Sequence, residues 1–141
     1  MITFNTLGRL ICKTHPELVL QARERYNPML KDLSEIPEVG RIIDDKYPGL
    51  LQFDRNVLIA ACVYSLYCPA SLIASRCQNA PANMRDTLAT YLGYSNPTNI
   101  NYWQDIARAH IKGERYIAKV ADITSHFRSR SVNPAHWELG V

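Results

Sequence analysis

The longest apolar stretch of the chain covers residues 56–75, twenty positions without a charged side chain. A helix that is apolar all round is either the buried centre of a helical domain or a membrane span, and this stretch is long enough to span a bilayer. Pro69 falls within it, where proline removes a backbone hydrogen bond and clashes with the preceding turn. The pattern therefore favours two shorter buried helices, a central one capped by Asp54 and a second one at 70–78, over a membrane span.

Apolar residues recur at helical spacing on both sides of this stretch. The first helix is expected around Phe4, Leu7 and Ile11, capped by Asn5 and packed on the core. No segment alternates with period two for long enough to predict a strand. The chain is therefore expected to be all-α, a single domain of about seven helices at 1–128 around a buried central helix, followed by a tail at 129–141. The other predicted helices lie at 16–26, 36–47, 84–92, 98–112 and 114–128.

Composition is that of an ordinary globular protein, because 47% of the 141 residues are hydrophobic and 21% are charged. One domain of this length can bury about two-thirds of its unfolded surface. The first residues lack a basic region followed by an apolar run, so we expect no secretory signal and a cytoplasmic location. The net charge of +3 is too small to indicate a class of partner.

The four cysteines match no zinc or redox spacing. Because free cysteine is among the most buried residue types, they are interpreted as core residues, with a metal or disulfide role as the alternative. No motif assembles a nucleophile, a base or a metal site, so we expect neither an enzyme nor a cofactor. A nucleophilic pair of a cysteine and a histidine is the enzymatic alternative, since sequence distance does not show whether two residues meet. The cysteines are Cys12, Cys62, Cys68 and Cys77.

The predicted helices 84–92 and 98–112 are joined by a short segment that contains Gly93. Glycine can take the left-handed conformation that ends a helix, and Pro97 suits the first position of the helix that follows. Two helices joined by a tight turn with a glycine form a helix-turn-helix. The sequence therefore predicts this motif at 84–112.

The spacing of Ala89, Gly93 and the inward-facing Ile100 resembles the helix-turn-helix of the DNA-binding domain of the bacterial replication initiator DnaA. In that family the glycine is followed by a basic and polar turn that ends in Asp-His-Thr-Thr and grips phosphates and bases. This chain has Ser-Asn-Pro-Thr-Asn at 95–99 instead. The resemblance implies DNA binding, with Thr98 and Asn99 as the contacts that carry over.

The second helix of this pair carries polar residues with suitable chemistry for reading bases. Asparagine and glutamine can bond adenine bidentately and arginine can bond guanine, so the expected base contacts are Asn99, Asn101, Gln104 and Arg108. The segment 108–130 holds six lysine and arginine residues against two acidic ones. Cations from this segment are expected at phosphates, namely Lys112, Arg115 and Lys119. The alternative is a solvated helix face of mixed charge, which Asp105 favours.

These patterns lead first to a small helical protein that binds double-stranded DNA, a regulator or a replication-associated factor. A homodimer is expected with it, because one helix-turn-helix offers a small contact area and a dimer doubles it. The alternative is a non-catalytic protein–protein interaction module, in which a helical face or the segment around Trp137 engages a partner. A membrane-associated helical protein is the second alternative.

Overall fold

The computed structural model describes the backbone of residues 2–72 and 80–131, and the side chains of these residues except 23–26 and 128–131. Within these ranges the chain forms seven α-helices and two short 3-10 turns, at Leu33–Glu35 and Pro69–Leu72, and no strand. The all-α prediction is confirmed. The helices are α1 (Phe4–Thr14), α2 (Pro16–Tyr26), α3 (Ile36–Lys46), α4 (Gln52–Tyr67), α5 (Met84–Tyr91), α6 (Asn99–His110) and α7 (Glu114–Ser131).

Helix α4 is the centre of the fold and contacts α3, α5, α6 and α7. Its residues 59–64 are all 0% exposed, which a helix achieves only when neighbours surround it on every side. The predicted buried central helix is therefore confirmed. Its start differs from the prediction, because Leu51 occupies the N-cap position and Asp54 lies in the first turn. A carboxylate there still interacts favourably with the helix dipole.

The α-helical part of the apolar stretch ends just before Pro69. Helix α4 stops at Tyr67, and the backbone N–H of Ser71 bonds the carbonyl of Cys68 in the 3-10 turn that follows. The predicted second helix at 70–78 is thus a 3-10 turn as far as Leu72, and its remainder lies outside the described residues. Among the helices that the structure describes, none has the length and apolarity to cross a membrane.

Helices α1 and α2 lie to one side of this core. The main neighbour of α1 is α2, and α1 buries none of its residues. The expectation that the first helix packs on the core is therefore wrong. Its cap also differs, because the Thr3 hydroxyl, and not Asn5, accepts the backbone N–H of Thr6 at 3.2 Å.

Candidate interaction surfaces

The connection between α5 and α6 is built from backbone and side-chain hydrogen bonds. Gly93 has φ +87°, as predicted, and its N–H bonds the carbonyl of Thr90, while the N–H of Tyr94 bonds that of Ala89. These two bonds form a Schellman motif, which satisfies the last carbonyls of α5. The side-chain oxygen of Asn96 then accepts the N–H of Thr98 at 2.9 Å, and this shapes the start of α6.

The first three predicted DNA contacts lie exposed at the amino-terminal end of α6, and each has a bond within the chain. The Thr98 hydroxyl donates to Asn96 Oδ1, and Asn99 Nδ2 donates to the Asn96 carbonyl at 3.4 Å. Arg85 Nη2 donates to Asn101 Oδ1 at 2.7 Å and so links α5 to α6. Of the three side chains, Asn101 has the bond that joins the two helices.

Gln104 does not face solvent, so its predicted role in reading bases is wrong. It is 5% exposed, and its Nε2 donates to the Ser71 carbonyl at 3.2 Å. The physical reason is its place on the helix. It shares the inward stripe of α6 with Trp103 and Ala107, and a buried carbonyl there needs a donor. The spacing of that stripe was the signal that could have placed Gln104 inside.

Arg108 also donates to the Ser71 carbonyl. Its Nη2 donates to the Ser71 oxygen at 3.2 Å, and its Nη1 lies 3.2 Å from Asp105 Oδ1. Only 21% of the Arg108 side chain is exposed. Gln104 and Arg108 together bond the turn after α4 to α6, so both side chains have a structural role.

The remaining predicted phosphate contacts are exposed, and we call them the α6–α7 basic surface: Lys112, Arg115 and Lys119. Lys119 Nζ lies 5.5 Å from the centroid of the Tyr47 ring. Lys46 is not a further free cation here, because its Nζ bonds Asp122 at 2.8 Å. Of the eight predicted side chains, the three of the α6–α7 basic surface could therefore contact a polyanion with no loss of a hydrogen bond or ion pair that the structure shows.

A second surface is the apolar row of α1, which the sequence pattern predicted to pack on the core. Four large side chains point outward, and we call them the α1 apolar face: Phe4, Leu7, Leu10 and Ile11, exposed by 92%, 44%, 44% and 37%. Helical periodicity revealed this row as one face of a helix. It could not reveal whether the partner of that face lies within the same chain.

A groove separates α1 from α2 beside this face. Its volume is about 670 Å³, and Asn27 is the only lining residue with a polar side chain among those that the structure describes. Gly8 leaves its wall open, since a Cβ built there meets no atom within 4 Å. The other lining residues are Ile11, Cys12, Leu18, Val19 and Ala22.

A smaller cavity of about 260 Å³ lies between α4 and α7. Asp54, His110, Tyr116 and Lys119 line it over an apolar floor. His110 Nδ1 is paired with the Ile106 carbonyl at 2.9 Å. Burial raises the pKa of Tyr116, with smaller effects of Cys62 and Asp54 in the same direction, so the phenol stays neutral.

The cysteines divide between core and surface. Cys62 and Cys68 are buried, whereas Cys12 is exposed, so its interpretation as a core residue is wrong. Cys77 lies outside the described residues. Burial raises the pKa of the Cys62 thiol and keeps it protonated. Over residues 2–72 and 80–131, no three histidine, cysteine or acidic side chains are grouped to hold a metal ion.

Comparison with family models, with curated proteins and with solved structures finds no match for this chain.

Proposed function

We propose that this chain is a non-catalytic protein-interaction module that docks through the α1 apolar face and the adjoining groove. The observation that carries the proposal is the exposure of Phe4, which is 92% accessible in a regular helix whose other apolar residues share its side. Contiguous exposed apolar patches with polar surroundings mark interaction sites. Arg9 and Lys13 supply the polar surroundings on the opposite side of α1.

The energetics favour a covered face. Full burial of a large apolar side chain contributes about 1.5–3 kcal/mol. Phe4 is 92% exposed but Leu7, Leu10 and Ile11 keep only 44%, 44% and 37% of their surface, so covering all four is equivalent to burying about two side chains, roughly 3–6 kcal/mol. This offsets part of the 4–15 kcal/mol that association is estimated to cost. Aromatic anchors often dominate the binding energy of an interface, and Phe4 is the most exposed large apolar side chain among the described residues.

The test is capture of a partner on the immobilised full-length chain, followed by calorimetry with the purified partner. Exchange of Leu7 and Ile11 for serine should weaken binding at least about tenfold, because it removes the apolar contact. The matched control exchanges Arg9 and Lys13 for serine on the opposite face of the same helix and should bind normally. Equal binding by both double variants would contradict the proposal.

DNA binding through α5 and α6, used as a helix-turn-helix by a regulator or replication-associated factor, is the second candidate. The exposure of Lys112, Arg115 and Lys119 favours it, since phosphate contacts need accessible cations. Thr98, Asn99 and Asn101 are exposed at the end of α6 that would approach a groove. Binding to random-sequence duplex DNA across a salt series tests it, and absence of binding at low salt would rule it out.

A further inference from the structure

The groove between α1 and α2 has the size and lining to receive an aromatic side chain. Its volume is about 670 Å³, while an apolar cavity of about 150 Å³ already admits benzene. The small residues Gly8 and Ala22 contribute to its walls. Phe4, the most exposed large apolar side chain among the described residues, lies one helical turn before Gly8 and does not fill the groove of its own chain.

We infer that the groove receives Phe4 from a second copy of this chain, so that two copies form an isologous dimer through α1 and α2. The inference rests on the proposed protein-docking function of this surface and names its partner. In a twofold dimer each chain presents the same patch to the other. One chain's Phe4 then enters the partner's groove, and the reverse contact follows by symmetry.

The extent of apolar surface supports a second copy. A standard interface buries about 800 Å² on each partner. The exposed apolar side chains on the groove side of the two helices contribute to this area, and the groove walls add to it. These side chains are Ile2, Phe4, Leu7, Leu10, Ile11 and Leu18.

The charges on α1 are compatible with self-association. Its two charged residues, Arg9 and Lys13, lie about 140° and 180° around the helix from Phe4, at roughly 100° per residue. Two copies can therefore meet through their apolar faces without bringing these cations together. A lipid surface would cover the α1 apolar face but would leave the groove without a side chain that fits it, whereas a second copy supplies Phe4.

The experiment is sedimentation equilibrium of the full-length chain and three variants. Phe4→Ala removes the inserted side chain, and Gly8→Leu places a larger side chain in the groove wall at a position where an added Cβ meets no atom within 4 Å. Each should raise the dimer dissociation constant at least about tenfold. The control Gly8→Ala makes a similar change of helix propensity, adds one methyl group to the wall and should stay within about threefold of the unaltered chain.

A mixture of the two disruptive variants provides a sharper readout. The Gly8→Leu chain still carries Phe4, and the Phe4→Ala chain still has an open groove. One of the two symmetric contacts is therefore restored in the mixed pair, which should associate more tightly than either variant with itself. A mixture that associates no better than its components would overturn the reciprocal insertion.

Different experimental outcomes contradict the proposed dimer alone and the proposed docking function. A chain that is monomeric at its highest soluble concentration, yet binds a purified partner through the α1 apolar face, overturns the dimer alone. A monomer that binds no protein but sediments with phosphatidylserine–phosphatidylcholine vesicles in a Phe4-dependent manner overturns both.

Discussion

The hydroxyl group of Tyr91 occupies the space that a side chain at Gly40 would need. A Cβ built at Gly40 lies 1.8 Å from Tyr91 Oη, so a side chain at Gly40 would have to displace the Tyr91 ring. Arg55 Nη2 donates to the same hydroxyl at 3.2 Å and its Nε donates to Asp44 at 2.7 Å. Arg55 thus links α4 to α3 and α5 beside the buried Gly40.

Gly40→Ala should therefore destabilise the fold. Forcing an extra carbon into a packed site costs typically 1–3 kcal/mol, and this loss competes with about 1 kcal/mol of improved helix propensity. We expect a net fall in the free energy of unfolding, measured by urea denaturation. Gly8→Ala is the matched control, because its Cβ enters open space and should cause no loss. Equal stability of the two variants would refute the packing argument.

The Ser71 carbonyl gives a second prediction. It accepts bonds from both Gln104 and Arg108, so Gln104→Ala should lower the free energy of unfolding by about 1–3 kcal/mol through an emptied buried site and a lost donor. Asn99→Ala on the exposed end of α6 should change stability by less than about 0.5 kcal/mol. Thermal unfolding of both variants checks this, and a stable Gln104→Ala protein would argue against the described packing.

The thiols provide a third prediction, on reactivity. Cys12 is exposed, whereas Cys62 is buried and the pKa of its thiol is raised by that burial. A thiol reagent added to the native protein should modify Cys12 before Cys62, which should react only after unfolding, because the thiolate is the reactive form and needs access. Mass spectrometry of peptides after a short labelling time identifies the sites. Labelling of Cys62 at the rate of Cys12 would contradict the buried position.

The bond between Lys46 and Asp122 links α3 to α7 and makes stability depend on pH. This bond lowers the pKa of Asp122, with smaller contributions from His126 and Tyr47. Because the pKa is lower in the folded state, the stabilisation is complete above the ordinary aspartate range and is lost as the pH falls through the folded-state value. Asp122→Asn should therefore lower Tm at neutral pH, with a difference that shrinks toward pH 2. A difference that is constant with pH would exclude this linkage.

The sequence predicted those parts of the fold that depend on continuous or periodic apolarity. The central helix α4 followed from an uncharged stretch, and the end of α5 followed from Gly93, which alone among nearby residues adopts a left-handed conformation without strain. The exposure of α1 could not be predicted, because periodicity identifies a face and not what covers it. Gln104 was predicted on the exposed side of α6 because its side chain is polar. Its position on the inward stripe of the helix predicts burial instead.

The DNA-binding hypothesis is best tested at lysine and arginine side chains that make no bond within the structure. Arg108 is unsuitable, since its reversal would break the bond to the Ser71 carbonyl. Lys112→Glu with Arg115→Glu changes exposed positions, and the control Arg9→Glu with Lys13→Glu makes the same change of net charge on α1.

If Lys112 and Arg115 meet phosphates, their reversal should weaken binding to duplex DNA and reduce the slope of log K against log salt concentration by about 2, since each phosphate contact contributes about 0.9. The control should retain most of the affinity and the slope. Equal losses in both variants would mean that DNA responds to net charge and not to the α6–α7 basic surface. Unchanged binding in both would place any DNA contact elsewhere on the chain. Only a selective loss at Lys112 and Arg115 supports a DNA-binding role for the ends of α6 and α7.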